Sequence, residues 1–269
     1  MLSHYGLYAY GLVNKEPEHL DILGIDNQSK VYPVSENDMY VMVSKIDIDA
    51  FQNRIKGLVS ELTNTKDTIQ QGAAELLQAH EHVIDTLMQN TTVIPLKFGT
   101  ILKDEKAASQ MLQDQKEHFQ NLLAKFTGKV EWGVKVYANK QALMKHLMQN
   151  DPKFIGLQEQ RAKLSRGAAY LFDKKMEAEV KNAIATQFAH ITESIFHAFE
   201  SDAFEAKLNN ILPQKMTGKT QEMILNAAYL IERGRETSFR QQGKQFVDEY
   251  NFIELDLEFS GPWPPYNFT

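Results

Sequence analysis

From residue 130 onward the hydrophobic period switches between two and about 3.6, and the order of the switches leaves few folds open. "VEWGVKVY" (130–137) sets Val130, Trp132, Val134 and Val136 against Glu131, Gly133 and Lys135, the pattern of a strand. Asn139 or Lys140 begins a short helix to about Gln149. Asp151–Pro152 opens another, with proline in the first turn, where its missing N–H costs little. A helical stripe then runs Leu164, Ala168, Leu171, Val180, Ile184, Phe188, Ile191, Ile195, Phe199, with its expected break at Ser165–Gly167. A weak strand near 204–212, an apolar strand "MILNAAYLIER" (223–233), a helix over 235–250 and "FIELDLEF" (252–259) follow. The resulting order, β–α–β–β–α–β, is the split-βαβ or ferredoxin-like arrangement.

The first 128 residues read as strand, strand, helix, strand, helix. "YGLYAYGLV" (5–13) is apolar on both faces and suits a central strand; "MYVMVSKI" (39–46) is a second, preceded by the polar turn "SEND". From Gly72 to Asn90 one helical stripe collects Ala73, Leu76, Leu77, His80, Val83, Ile84, Leu87 and Met88. "TTVIPLKFGTIL" (91–102) is strand-like but contains Pro95, Lys97 and Gly99, which suits a controlled sheet edge rather than a central strand. Asp104 is the expected N-cap of a helix whose stripe is Ala108, Met111, Leu112, Gln115, Phe119, Leu122 and Phe126, ended by Gly128. The fold class is therefore α+β in two domains, 1–128 and 129–269, the second with long helices and a Pro/aromatic tail.

The 269 residues include 29 Lys+Arg against 35 Asp+Glu, a formal net charge of -6 that disfavours a nucleic-acid partner. Cysteine is absent, which removes disulfides, thiolate metal sites and Cys nucleophiles and fits a reducing, cytoplasmic setting. The N-terminus lacks a basic signal-peptide region, and no stretch approaches the ~18 apolar residues of a membrane span.

Few residues suggest chemistry. His80 and His82 stand two apart on a helix and point about 200° from each other, so they cannot close on one ion. His80 belongs to the apolar stripe, as a hydrogen-bonded core residue, and His82 to solvent. Glu254, Asp256 and Glu258 share one strand face, the wet side of a sheet with Lys129 or Lys135 as neighbours, or else a cation site. No phosphate-cradling or nucleophile-elbow motif occurs. "GPWPPYNF" (261–268) cannot continue the preceding strand and reads either as a tail covering a core with Trp263, Tyr266 and Phe268 or as a docking peptide. No catalytic residue, cofactor or metal site is assigned.

Several segments together resemble the gas vesicle protein F/L family: "YGLYAYGLV", "AHEHVIDTLMQNTTVIPLKFGTIL" (79–102), "GKVEWGVKVY" (128–137), "LNAAYLIER" (225–233) and "LDLEFSGPWPPYNF" (255–268). The motif residues are His80, Glu81, Pro95, Phe98 and Gly99, then Gly261, Pro262, Trp263, Pro264, Pro265 and Tyr266. Lys97 stands where the family usually has Arg, which keeps the charge and loses the bidentate fork. The resemblance implies a ferredoxin-like first domain and a non-enzymatic, chaperone-like accessory role in gas vesicle assembly. It also implies binding to the small hydrophobic shell protein, association with the vesicle, and no cofactor. Leu96, Lys97 and Phe98 are the candidate contact with that partner. The rivals are a small-molecule sensor or enzyme on the same scaffold, which needs His80 and a carboxylate such as Glu81 lining a cleft, and a minor structural component of the vesicle.

Overall fold

The computed structural model describes residues 4–18, 20–61 and 66–269, the side chains of 57–73 excepted. The chain forms two compact units, Met1–Val130 with Trp263–Thr269, and Glu131–Pro262. Helices and two antiparallel sheets make an α+β protein.

The first unit holds β1 (Tyr5–Val13), β2 (Val31–Glu36), β3 (Met39–Asp47), α1 (Ile48–Glu61), α2 (Lys66–Met88), β4 (Val93–Pro95), β5 (Ile101–Leu102), α3 (Glu105–Asp114) and α4 (Lys116–Phe126). Its sheet runs β2-β3-β1-β4, with β5 also paired to β1. The apolar β1 is central, as expected: Leu7 through Tyr10, Leu12 and Val13 are all buried. β2 and α1 are additions to the expected elements. β2 reads "VYPVSE", with neither alternation nor an uninterrupted apolar run, yet it pairs with β3 through a tight turn at Asn37 and Asp38, both at positive φ. α1 begins with no loop signal because Asp47, the last residue of β3, caps it by accepting the Ala50 N–H at 3.0 Å. With β1 and β2 joined by loop rather than helix, the unit does not display the ferredoxin-like element order.

Along α2 the stripe is Leu76, His80, Val83, Ile84, Leu87 and Met88. Leu77 is exposed, and Ala73 lies outside the described side chains. The expected single helix after Asp104 is two. Asp104 caps α3 by accepting the Ala107 N–H at 2.8 Å. The helix then breaks at Gln115, and Leu123 rather than Leu122 joins Phe119 and Phe126 in the core.

The second unit holds most of β6 (Lys129–Ala138), then α5 (Lys140–Asn150), α6 (Pro152–Ala162), α7 (Arg166–Ser201), β7 (Glu205–Leu208), α8 (Gln214–Thr217), β8 (Glu222–Glu232), α9 (Glu236–Glu249) and nearly all of β9 (Asp256–Trp263), in a sheet ordered β7-β8-β6-β9. Asn139 and Asp151 are the N-caps of α5 and α6. The aromatic core gathers Phe199, Tyr229, Phe239 and Phe259, with ring centroids 4.8 to 5.8 Å from Phe199.

Two sequence expectations fail here. Leu164, Ala168 and Leu171 are exposed rather than buried. A 36-residue helix spans about 54 Å, longer than the roughly 36 Å of an eleven-residue strand such as β8, so part of α7 has no sheet beneath it. The last strand also starts late and ends late. Asn251–Ile253 form a 3₁₀ turn, Glu254 is left-handed, and β9 then runs through Gly261, Pro262 and Trp263. Proline is tolerated there because β9 is the sheet's edge, where a missing N–H forfeits no ladder bond. The Gly261–Pro262 peptide is cis.

Candidate functional site

The segment expected to be one strand over 91–102 is two short ones, β4 and β5, on the same side of β1. The connecting residues 96–100 are fastened to β1 at both ends. Leu96 N–H donates to the Tyr10 carbonyl at 2.9 Å and Ala9 N–H to the Thr100 carbonyl at 2.9 Å. Thr100 closes the turn, donating from its N–H and its hydroxyl to the Lys97 carbonyl at 3.1 and 2.6 Å. Gly99 sits at φ +83°, a left-handed conformation that only glycine adopts freely. Pro95, the last residue of β4, lies at the sheet edge as its missing N–H requires.

Beneath this turn lies a polar-aromatic cluster. Tyr8 and Tyr10, two apart on β1, point to one face, where α2 brings His80. The Tyr8 hydroxyl accepts the Gly99 N–H at 3.0 Å and lies 3.0 Å from His80 Nδ1. The hydroxyl's own proton can then go to Nδ1, which assigns the neutral ring's proton to Nε2. The His80 ring stacks on Tyr10 at 5.8 Å and meets Phe98 edge-on at 5.6 Å. Tyr10 is held in turn by Ser44 Oγ at 2.8 Å and the Ile25 N–H at 2.7 Å. His80 is 1% exposed, and burial drives its pKa down to about 4, with the Leu96 backbone pulling weakly the other way. Nε2 has no partner at full hydrogen-bond geometry.

Glu81, the next residue, is part-buried at the edge of this cluster. The Tyr266 hydroxyl donates to its Oε1 at 3.0 Å, while Oε2 is buried without a partner. Burial raises the Glu81 pKa, the Tyr266 bond opposes, and the Asp85 carboxylate raises it further. Tyr266 follows the buried Pro264 and Pro265, and Phe268 beside it is buried, with the Lys125 ammonium 5.8 Å from its ring centroid. So the tail does cover a core, but with the prolines, Tyr266 and Phe268; Trp263 is 39% exposed. Its glycine, Gly261, is at φ +138° and a Cβ there would lie 2.9 Å from the Glu131 carbonyl oxygen.

Of the candidate contact residues, Leu96 is half-buried, Lys97 exposed and Phe98 40% exposed. His82 is exposed, as expected. The acidic face near the C-terminus carries a cation the sequence did not point to. Lys219, from the turn before β8, bridges Asp256 and Glu258 with its ammonium 4.5 Å from the Tyr137 ring centroid, and Glu254 accepts from Asn139 Nδ2 at 2.7 Å. Among the described residues no group of three His, Asp or Glu side chains could hold a metal ion. A 720 Å³ groove in the first unit is lined by Tyr5, Leu7, Tyr32, Lys45 and residues 103–106, and it includes neither His80 nor Glu81. Sequence reasoning missed Tyr8, Tyr10 and Ser44 as the polar partners of this core. The signal available was the pair of tyrosines at strand spacing opposite a stripe histidine.

The arrangement as a whole has counterparts. The family described as gas vesicle synthesis protein GvpL/GvpF matches residues 6–269. The chain belongs to that family. GvpL/GvpF relatives of both kinds are similar to it. Gas vesicle protein L of Streptomyces sp. (strain CB03234) is 30% identical over 73% of this chain and 69% of its own length. Gas vesicle protein F of Microcystis aeruginosa (strain PCC 7806) is 26% identical over 98% of both. The crystal structure of GvpF from Anabaena sp. PCC7120 superposes with a TM-score of 0.73 over 98% of this chain and 97% of that one, at 21% identity, which establishes the shared fold. Membership in GvpL/GvpF places the protein in gas vesicle synthesis. No helix among the described residues is long and apolar enough to cross a membrane.

Proposed function

We propose that the protein assists gas vesicle assembly without making or breaking covalent bonds, by binding the small hydrophobic shell protein and keeping it from aggregating before it joins the wall. The first domain, 1–128, supplies the contact through Leu96, Lys97 and Phe98, and the second, 129–269, serves as scaffold. A shell subunit must bury a large apolar area only in the growing wall, so beforehand that area needs a temporary cover.

The observation that carries this reading is the Phe98 ring: 40% exposed, yet held on its inner side by His80 and Tyr8 at 5.6 and 6.3 Å. A pre-set aromatic on a fastened turn loses little conformational freedom on binding, which is how small apolar anchors contribute most to affinity. Lys97 beside it guards the edge against indiscriminate strand pairing. In the rival enzyme reading, His80 and Glu81 line a cleft. In the structure His80 is packed under Phe98 and Glu81 is bonded by Tyr266, an arrangement that favours a structural role.

Co-expression of the full chain with the shell protein, scoring soluble shell protein, tests the proposal. The chain should raise that fraction, and Leu96→Ser with Phe98→Ser should abolish the gain while circular dichroism shows an intact fold. Equal solubility with and without the chain, or with the folded double variant, would discard it.

A further inference from the structure

The 720 Å³ groove of the first unit is built on the sheet face turned away from α2. Tyr8 and Tyr10 point to α2, so Tyr5 and Leu7, at the alternate positions of β1, point the other way. The ladders set Lys45 of β3 opposite Leu7, and Tyr32 of β2 opposite Val43, two residues before Lys45. Directly opposed residues share a face, and β3 lies between β2 and β1. Lys45 therefore rises between Tyr32 and the pair Tyr5 and Leu7. Lys103 and Lys106, at the start of α3, complete the lining. The charges here are uneven. Asp104 is committed to the Ala107 N–H, Glu105 accepts the Tyr32 hydroxyl at 3.1 Å, and Asp47, opposite Tyr5, accepts the Ala50 N–H. Lys45, Lys103 and Lys106 are exposed, and no carboxylate among the described residues pairs with them. In a chain of net charge -6, three uncommitted cations around one apolar floor concentrate positive charge in a cleft.

We infer that this groove binds a nucleotide, with the base on the tyrosine rings and the phosphates on the lysines. Charge and shape select that class together. Lysine is a point charge suited to phosphate, and the groove has no arginine, whose planar fork is the usual partner of a carboxylate. The floor offers two aromatic rings, and every base has a face that stacks on one. The volume lies within the roughly 300–1,000 Å³ common to small-ligand sites. The inference concerns binding alone, since the phosphates meet side chains and no bond is made or broken. The groove shares no lining residue with the 96–98 turn, so it stands or falls independently of the shell-protein proposal.

Isothermal titration of the full chain with ATP, adenosine and pyrophosphate tests it. ATP should bind one to one, and adenosine and pyrophosphate each about tenfold or more weakly, since each keeps only part of the contacts. Lys45→Met and Tyr5→Ala should each weaken ATP binding about tenfold or more. Both side chains are exposed, and a thermal melt checks that each variant is folded. No saturable ATP binding, adenosine or pyrophosphate bound as tightly as ATP, or an affinity indifferent to either folded variant would each overturn the inference.

Discussion

Tyr266 and Glu81 are 185 residues apart in sequence and 3.0 Å apart in space, the phenol donating to one carboxylate oxygen while the other is buried without a partner. The bond ties the closing segment of the chain to the middle of α2. It also decides the chemistry of Glu81: burial and Asp85 push its pKa up, and Tyr266 is what holds it down.

Tyr266→Phe should therefore cost more than an ordinary surface hydrogen bond, about 1–2 kcal/mol, because it leaves both carboxylate oxygens desolvated. In a Glu81→Gln background the same change should cost less, the amide needing no charge stabilisation. Chemical denaturation of the two single variants and the double completes the cycle. Additive losses would show that the two side chains are not coupled.

His80 predicts an acid-sensitive window. Its folded pKa of about 4 lies below the ordinary value of 6.5, so the unfolded chain binds more protons between these limits. The stability that neutral His80 contributes is full above about pH 6.5 and is lost as pH falls toward 4, by up to about 3 kcal/mol. Glu81, with its pKa raised, acts in the opposite sense: its contribution is present at low pH and lost as pH rises. The comparison to make is thus the difference in unfolding free energy between the parent and His80→Asn. That difference should shrink as pH falls through the window; a constant one would contradict the assignment.

Gly99 and Gly261 separate two costs of adding a Cβ. At Gly99 nothing lies within 4 Å of the new atom, so Gly99→Ala pays only for positive φ, about 1 kcal/mol. At Gly261 the same φ problem is joined by a Cβ 2.9 Å from the Glu131 carbonyl oxygen, so Gly261→Ala should cost about 2 kcal/mol or more. Equal melting-point losses for the two would contradict this.

Lys219 lies between two carboxylates, and its own pKa is raised to about 12 by Asp256 and Glu258. Lys219→Met should destabilise by roughly 0.5–1 kcal/mol, a modest loss because all three groups are partly exposed. The loss should shrink in high salt, which screens the repulsion left between the carboxylates. A salt-independent loss would point instead to the packing of the Lys219 stem on Tyr137.

Much of the local structure was legible because its causes are local. Asp104 caps the helix it was expected to cap, and Asn139 and Asp151 cap the helices expected to begin at Asn139 or Lys140 and at Asp151–Pro152, since an N-cap needs only a short side chain and a neighbouring N–H. The alternation in 130–137 announced β6, and the run 223–233 announced β8. By contrast the break at Gln115 leaves no glycine or proline to betray it, α1 starts directly after the last residue of β3, and β2 contains a proline that argues against a central strand.

By itself the sequence determined most of the stretches that extend or coil and the residues that carry the family's motif, because side-chain period and capping act over a few residues. Only the tertiary structure decided that Pro262 could sit inside a strand, that Lys219 would answer Asp256 and Glu258, and that Tyr266 would return to Glu81. Each depends on which strand ends up at a sheet edge, or on which distant side chain arrives next to a buried charge. That is fixed by how the whole chain closes on its core.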